Sequence, residues 1–256
     1  MNLKTYKMRS ITIMKKLILK TYIYCLVLIS LFSSCSETPS LVGAWERYYI
    51  DMNGTNVRSV AIFSDNFQSI SMYNATTGEF IYSNGGTWEL NGNVITEEIE
   101  FDTKNPARVG EIVSFEIDLT ENTLAIANAK WNFRKIDDGS PGALKGAWVM
   151  SGRYKDGNFQ SRSIDKPRKT MKILSGTRFQ WIAFDTEKKE FKGTGGGTYS
   201  TVDGKYSEKI EFFSRDSSRV GKELEFDYNI ENGNWIHRGK TSKGDPLHEI
   251  WSLREK

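Results

Sequence analysis

The chain has 256 residues, 38% of them hydrophobic and 12% aromatic, which is enough for one large or two small domains that each bury a core. Its formal charge of +3 comes from residues 1–34, which hold six basic and no acidic side chains. Without them, 29 basic side chains face 32 acidic ones, so the remaining body is weakly acidic. No basic stripe remains, and we therefore expect no nucleic-acid partner.

Residues 1–34 have the pattern of a secretory signal peptide, with a lysine pair before an apolar run that is too short to span a bilayer. Cys25 lies in that run and would be removed, which leaves Cys35 as the cysteine of the mature chain and permits no intramolecular disulfide. The leader resembles that of a bacterial lipoprotein, in which cleavage before Cys35 exposes a cysteine that receives a lipid. This resemblance implies an exported protein anchored by its lipid in the cell envelope, at the outer membrane of a Gram-negative bacterium.

After a polar tether at residues 35–40, one β-rich unit is present twice. The first copy opens with LVGAW at residue 41, and the second with LKGAW at residue 144. Between them, the DDGSPGA segment at residues 137–143 has the composition of a short linker. The repeat predicts two domains, which lie at residues 41–136 and 144–256.

The repeat is clearest between residues 85–110 and 196–221, at an offset of 111 residues. Both stretches begin with glycines, continue with Glu-x-Ile-x-Phe and end with Arg-Val-Gly. Because glycine permits a bulge at a strand entrance, and no lysine or helix follows, we expect scaffold here rather than a phosphate loop. Two further overlays are predicted: Phe67-Gln68 on Phe179-Gln180, and residues 131–134 on residues 251–254.

Short alternating runs in each copy are separated by turn dipeptides that accept positive φ, namely Asn-Gly or Asp-Gly at 53–54, 91–92, 156–157, 203–204 and 232–233. This pattern predicts an antiparallel meander of about eight strands per copy, enough to close a small barrel. The second copy offers nine runs, of which we expect one not to form a strand. The predicted fold class is all-β, with two antiparallel up-and-down barrels in tandem.

The second copy combines a Gly-x-Trp near its first strand with the segments GGGTY, DGKYSEKIEFF, RVGKELEFDY and HEIWSL. This ordered set resembles a lipocalin-like (calycin) domain of uncharacterised function found in exported lipoproteins of Gram-negative bacteria, and the first copy resembles it more weakly. The resemblance implies a barrel that binds a small apolar or mixed-polarity ligand in its mouth.

Strand alternation places polar side chains inside the second barrel. Tyr206, Glu208, Ile210 and Phe212 share one face of a strand, and buried carboxylates need a partner. In the first copy the counterparts of His237 and Glu249 are Ile126 and Ala129, so we expect that barrel to be filled. The predicted ligand-binding residues, for a small molecule or glycan fragment, are Trp181, Tyr199, Glu208, Trp235, His237, Glu249 and Trp251.

Several alternatives stay open. His237 and Glu249 could pair with each other or with Arg178, or they could face solvent after a slip of one residue. The barrels could act through their surfaces, as a structural or interaction module of the envelope. An enzyme using Glu208, His237 and Glu249 as acid and base is a third possibility, although we predict no catalytic residue. We predict no cofactor and no metal, because the chain has two histidines and no zinc spacing.

A basic interval also stands in the second copy, at Arg153, Arg162, Lys166, Arg168 and Lys169. We expect it to be a solvated face at the barrel rim.

Overall fold

The computed structural model describes residues 39–127, 129–241 and 243–254. The leader, with Cys35, lies outside these ranges, so the signal peptide and the lipid anchor stay predictions. Within the described ranges, no helix is long and apolar enough to cross a bilayer.

The first barrel consists of eight antiparallel strands in sequential order, closed by pairing of the last strand with the first. The strands are β1 (Gly43–Ile50), β2 (Asn56–Phe63), β3 (Phe67–Asn74), β4 (Phe80–Asn91), β5 (Val94–Asp102), β6 (Ile112–Leu119), β7 (Thr123–Ile126) and β8 (Trp131–Asp137). A single 3₁₀ turn, Pro106–Arg108, connects β5 to β6.

The second barrel repeats this arrangement and closes through β9 and β17. Its strands are β9 (Gly146–Lys155), β10 (Asn158–Ser161), β11 (Arg168–Leu174), β12 (Arg178–Asp185), β13 (Glu190–Val202), β14 (Lys205–Phe213), β15 (Glu223–Glu231), β16 (Asn234–Lys240) and β17 (Pro246–Leu253). A second 3₁₀ turn, Ser217–Arg219, connects β14 to β15. The predicted all-β class with two tandem barrels is confirmed.

All nine runs of the second copy form strands, contrary to the expectation that one would not. The extra strand, β10, lies outside the closed ring and pairs only with the end of β9. The repeat offset is 103 residues between Gly43 and Gly146 but 111 between Phe63 and Leu174, so the second copy contains an insertion of eight residues. The insertion forms the β9–β10 hairpin and the segment that returns to β11.

The repeated glycines are scaffold, as predicted. A β-bulge separates Gly85 from Gly86 and Gly196 from Gly197 in the pairing with the next strand. A Cβ atom on Gly197 would lie 1.9 Å from the carbonyl oxygen of Lys209, a distance that no side chain tolerates. The bulge also corrects the predicted face of β14. Gly197 lies opposite Ile210 and Gly196 opposite Phe212, so Glu211 between them has no counterpart on β13. Because of this extra residue, Ile210 and Phe212 do not share a face: Ile210 points into the barrel and Phe212 points outward.

Two of the predicted overlays are wrong. The backbone N–H of Ser64 bonds to the carbonyl of Phe67 and that of Ser175 to the carbonyl of Arg178, so Phe67 corresponds to Arg178, one residue earlier than expected. Gln68 therefore corresponds to Phe179, and both line the interior of their barrel.

The predicted overlay of β8 on β17, the last strands of the two barrels, is wrong by two residues. Leu124 lies opposite Phe133 as Trp235 lies opposite Trp251, so Phe133 rather than Trp131 is the counterpart of Trp251. Glu249 consequently corresponds to Trp131, not to Ala129. The longer β16–β17 hairpin of the second copy conceals this register in the sequence.

Outer faces of the two barrels pack together around one apolar core. The ring of Tyr73 stacks on that of Phe212 at 4.9 Å, and Phe101 contacts Phe184 at 5.3 Å. Because Tyr73 corresponds to Phe184 and Phe101 to Phe212 at the offset of 111, these two contacts are the same contact made in both directions. The tandem copies thus meet like the subunits of a symmetric dimer.

Polar contacts also join the barrels. Asp137, the last residue of β8, accepts hydrogen bonds from the backbone N–H of Gly176 at 2.9 Å and from the N–H and hydroxyl of Thr177 at 3.0 and 2.6 Å. Ser175 donates a further one at 2.9 Å. The beginning of the linker is therefore fastened to the β11–β12 turn of the second barrel.

Candidate functional site

Each barrel encloses a cavity. The volume is about 410 Å³ in the first barrel and about 320 Å³ in the second. Both are large enough for a small molecule at the lower end of the usual range for ligand sites, about 300 Å³ and above. The prediction that the first barrel is filled is therefore wrong.

The second cavity brings together five of the seven residues that the sequence singled out. Its lining includes Trp181, Glu208, His237, Glu249 and Trp251. The predicted parity of these residues agrees with the strand pairing, in which His237 lies directly opposite Glu249. Arg178 is not their partner, because its guanidinium bonds to Glu211 at 2.6 Å on the outer face.

The other two predicted residues lie in the packed end of the same barrel. Tyr199 donates its hydroxyl proton to the carbonyl of Ser175 at 2.5 Å and contacts the ring of Tyr206. Trp235 is fully buried between Trp148 and Trp251, at 6.0 and 5.9 Å. Neither side chain lines the cavity, and both act as part of its support.

Lys172 on β11 is a buried cation that the sequence analysis missed. Its ammonium lies 3.5 Å from the carboxylate of Glu208 and 4.8 to 5.9 Å from the centres of five aromatic rings. The rings belong to Phe179, Tyr206, Phe226, Trp235 and Trp251. Such a cage offsets part of the cost of burying the charge, because the face of each ring attracts a cation. A signal was available in the sequence, because strand alternation places Lys172 on the same, inward face of β11 as Thr170 and Leu174.

The remaining polar groups of the cavity form a short chain around this cation. Tyr206 donates its hydroxyl proton to Glu208 at 2.9 Å, and the indole of Trp251 donates to Glu249 at 3.1 Å. Nδ1 of His237 approaches Glu249 to 3.5 Å without forming a hydrogen bond. Both ring nitrogens of His237, and the indole nitrogen of Trp235, have no hydrogen-bond partner among the described residues.

Burial and the nearby positive charge of Lys172 lower the pKa of His237, which favours its neutral form. Burial alone would raise the pKa of Glu249, but the neighbouring His237, Lys172 and Trp251 hold it below its usual value. The cavity thus presents a neutral imidazole beside an ionised carboxylate. Both can bind a hydroxyl or amine group of a ligand.

The first cavity is mainly apolar. Its walls include Phe63, Ile70, Phe115, Trp131 and Phe133, with Gln68, Tyr82, Asn84, Glu97 and Arg108 as polar members. Burial raises the pKa of Glu97 to about 7, although the positive charge of Arg108 opposes this shift. Arg108 itself is bound to Asp102 at 2.9 Å.

Within the described ranges, no three His, Cys, Asp or Glu side chains come together in a way that could hold a metal ion. His248 lies outside the cavity, where its ring stacks on that of Tyr154 at 4.3 Å.

Two tandem eight-stranded antiparallel barrels with internal cavities fit a lipocalin-like fold, a class compatible with binding. Residues 143–254, which contain the second barrel, match a family model described as "Domain of unknown function (DUF4488)". No curated protein matches the chain.

Proposed function

We propose that this chain is an exported, lipid-anchored protein whose second barrel binds a small molecule or glycan fragment of mixed polarity, without catalysis. The supporting observation is the cavity of about 320 Å³ in which His237, only 2% exposed, forms no hydrogen bond through either ring nitrogen to a described residue, although Nδ1 lies 3.5 Å from the carboxylate of Glu249. A buried polar group without a hydrogen bond is costly, so an imidazole that lines a cavity in this state suits a ligand that supplies the missing hydrogen bonds.

The walls of the cavity support the same proposal. Trp181 and Trp251 supply flat apolar surface, while Glu249 and His237 supply acceptors for hydroxyl or amine groups. Sugars and small amphipathic molecules combine an apolar face with such groups. The proposed anchor is a lipid on Cys35, which a tether at residues 35–40 would connect to the first barrel.

A matched pair of variants tests which barrel binds. Leu224 and Val113 occupy equivalent positions, since each lies opposite the cavity glutamate of its barrel, and each lines its cavity while half-buried. Leu224→Trp should obstruct the second barrel, and Val113→Trp the first. Native mass spectrometry of the purified protein should show a co-purified small molecule that Leu224→Trp loses and Val113→Trp retains.

The opposite pattern would move the site to the first barrel. That barrel is the second candidate, because its larger cavity offers mainly apolar walls and the carboxyl of Glu97. Retention of the ligand by both variants would refute binding inside either barrel, and would favour an interaction module that acts through the barrel surfaces.

A further inference from the structure

The insertion of the second copy builds a basic cavity at the mouth of its barrel. This rim cavity of about 530 Å³ is lined by Met150, Gly152, Arg153, Gln160, Ser161, Arg162, Lys166 and Arg168. It contains four cations and no acidic side chain. Arg153, Lys166 and Arg168 are exposed, in agreement with the predicted solvated face at the rim, and together with Arg162 they also surround this cavity.

The cations of the rim cavity have no salt-bridge partner among the described residues. Within the described ranges, acidic groups lie within 4.0 Å of eleven other basic side chains, His237 included, but of none of Arg153, Arg162, Lys166 and Arg168. Like charges held together without a counter-ion repel one another, so the arrangement favours binding of an anion.

Two of the guanidinium groups are held in place. Arg153 donates through Nε to the side-chain oxygen of Gln160 at 2.9 Å. Arg162 donates to the hydroxyl of Thr170 at 3.3 Å, and its backbone N–H bonds to the carbonyl of Ser151 at 2.8 Å. Burial, with the charges of Arg168 and Arg153, lowers the pKa of Arg162, as expected when like charges lie close together. The remaining N–H groups of both residues are free to bind a planar or tetrahedral anion.

The rim cavity adjoins the cavity of the second barrel. Thr170, which contacts Arg162, also lines that inner cavity. Arg153 lies directly opposite Glu249 in the β9–β17 pairing, so both side chains point to the same side of the sheet. A ligand in the barrel therefore leaves its outer end beside the guanidinium groups.

We infer that the ligand of the second barrel is an amphipathic anion. Its acidic group, a carboxylate, sulfate, sulfonate or phosphate, binds to Arg153, Arg162, Lys166 and Arg168, and its apolar part enters between Trp181 and Trp251. The inner carboxylate of Glu249 then faces a hydroxyl or amine of the same molecule. This inference rests on the proposed function, because it assigns the chemistry of a ligand to that site.

Two fluorescent dyes with the same aromatic body test separately whether the second barrel binds a small molecule and whether its rim binds an anion. 8-Anilinonaphthalene-1-sulfonate has a sulfonate, and N-phenyl-1-naphthylamine has none. Both are titrated into Val113→Trp protein, in which the first barrel is obstructed. We expect Arg162→Gln/Arg168→Gln to weaken binding of the sulfonate dye roughly tenfold, as for the loss of charge-assisted hydrogen bonds, and to leave the neutral dye unchanged. Rising NaCl should weaken only the sulfonate dye.

The control is Lys130→Gln/Lys145→Gln, which removes two exposed charges that line neither cavity. A sulfonate dye that binds equally well to the rim variant and to this control overturns the inference. If the neutral dye still binds to the double variant Val113→Trp/Leu224→Trp, or does not bind to the Val113→Trp protein, the proposed function is overturned instead. If neither dye binds, both are overturned.

A second arm identifies the source of the acidic group. Vesicles of phosphatidylglycerol that sediment with the protein, and fail to do so with the rim variant, assign the group to a lipid headgroup. Binding of the sulfonate dye without binding to these vesicles assigns it to a free molecule. Both outcomes support an anion site at the rim.

Discussion

The interiors of the two barrels differ most in the surroundings of a glutamate that both contain at the same position. Glu97 on β5 and Glu208 on β14 occupy equivalent positions, opposite Val113 on β6 and Leu224 on β15. Around Glu208 stand Lys172 at 3.5 Å and the hydroxyl of Tyr206 at 2.9 Å. At the same places around Glu97 the first barrel has Ala61 and Ile95, so this carboxyl has neither partner.

The comparison shows that the same residue type at the same place in the two barrels has different partners. Glu208 has an ammonium and a hydroxyl beside it, whereas burial in a mainly apolar cavity raises the pKa of Glu97 to about 7 even though the charge of Arg108 opposes this shift. The same exchange changes the shape of the cavities. In the second barrel, Lys172 and the five aromatic rings around it occupy part of the interior. In the first barrel, the small Ala61 stands in the place of Lys172, and the cavity is larger.

The largest effect on stability is expected from replacing Lys172, the cation that the first barrel lacks. Lys172→Met leaves the buried carboxylate of Glu208 without its counter-ion, and breaking a buried pair from one side typically costs about 3 to 5 kcal/mol. We expect the free energy of unfolding, measured with urea at neutral pH, to fall by about this amount.

The double variant Lys172→Met/Glu208→Gln provides the control. Removing both charges should restore much of the lost stability, because the double variant leaves no buried charge without a counter-ion and the glutamine oxygen can still accept from Tyr206. A double variant that is as unstable as Lys172→Met would show that the aromatic cage, rather than the ion pair, depends on the lysine.

Glu97 should give a pH dependence of stability. Its pKa in the folded barrel is about 7, above its ordinary value of 4.5, so the folded state binds a proton more tightly than the unfolded chain. Stability is then fully present below the ordinary value and is lost as the pH rises through about 7. The loss amounts to about 3 kcal/mol, at 1.36 kcal/mol for each pKa unit.

Glu97→Gln should abolish this loss, because glutamine does not titrate. Urea unfolding at pH 5 and pH 8 compares the variant with Glu98→Gln, which changes the exposed neighbour on the same strand. Equal pH dependence in the two variants would contradict the assignment of the loss to Glu97.

The architecture could be predicted from the sequence because it depends on local signals and on the repeat. Asn-Gly and Asp-Gly turns mark the hairpins, and Asp203 and Gly204 do adopt positive φ, at 49° and 75°. Alternation then placed Glu208, His237 and Glu249 correctly on inward faces. These are properties of neighbouring residues, which a sequence displays directly.

The errors arose where local signals give no information on register. A bulge turned Phe212 outward, and a hairpin of different length hid the equivalence of Glu249 and Trp131. The expectation of a filled first barrel also failed, because free volume depends on the sum of all side chains, among them the small Ala61. Lys172 was missed since a lysine in a strand is usually exposed, and its aromatic partners come from five different positions along the chain.

The smallest expected effect concerns the interface, where the two copies again use one position differently. Glu211 accepts hydrogen bonds from Arg178, Arg58 and Tyr73 at 2.6, 2.9 and 2.8 Å. Among the described residues, its counterpart Glu100 accepts side-chain hydrogen bonds only from Arg254, through Nη1 at 2.6 Å and through Nη2.

Glu211→Gln should therefore lower the free energy of unfolding by about 1 to 2 kcal/mol, and Glu100→Gln by about 1 kcal/mol or less. Burial would raise the pKa of Glu211, but Arg178 and Arg58 hold it below its usual value, so its contribution is present at neutral pH and is lost as the pH falls through the lowered pKa. Urea unfolding of both variants at pH 7 and pH 3 should show a difference at pH 7 that shrinks at pH 3. If the difference persisted in acid, the contacts of Glu211 would owe their strength to packing rather than to charge.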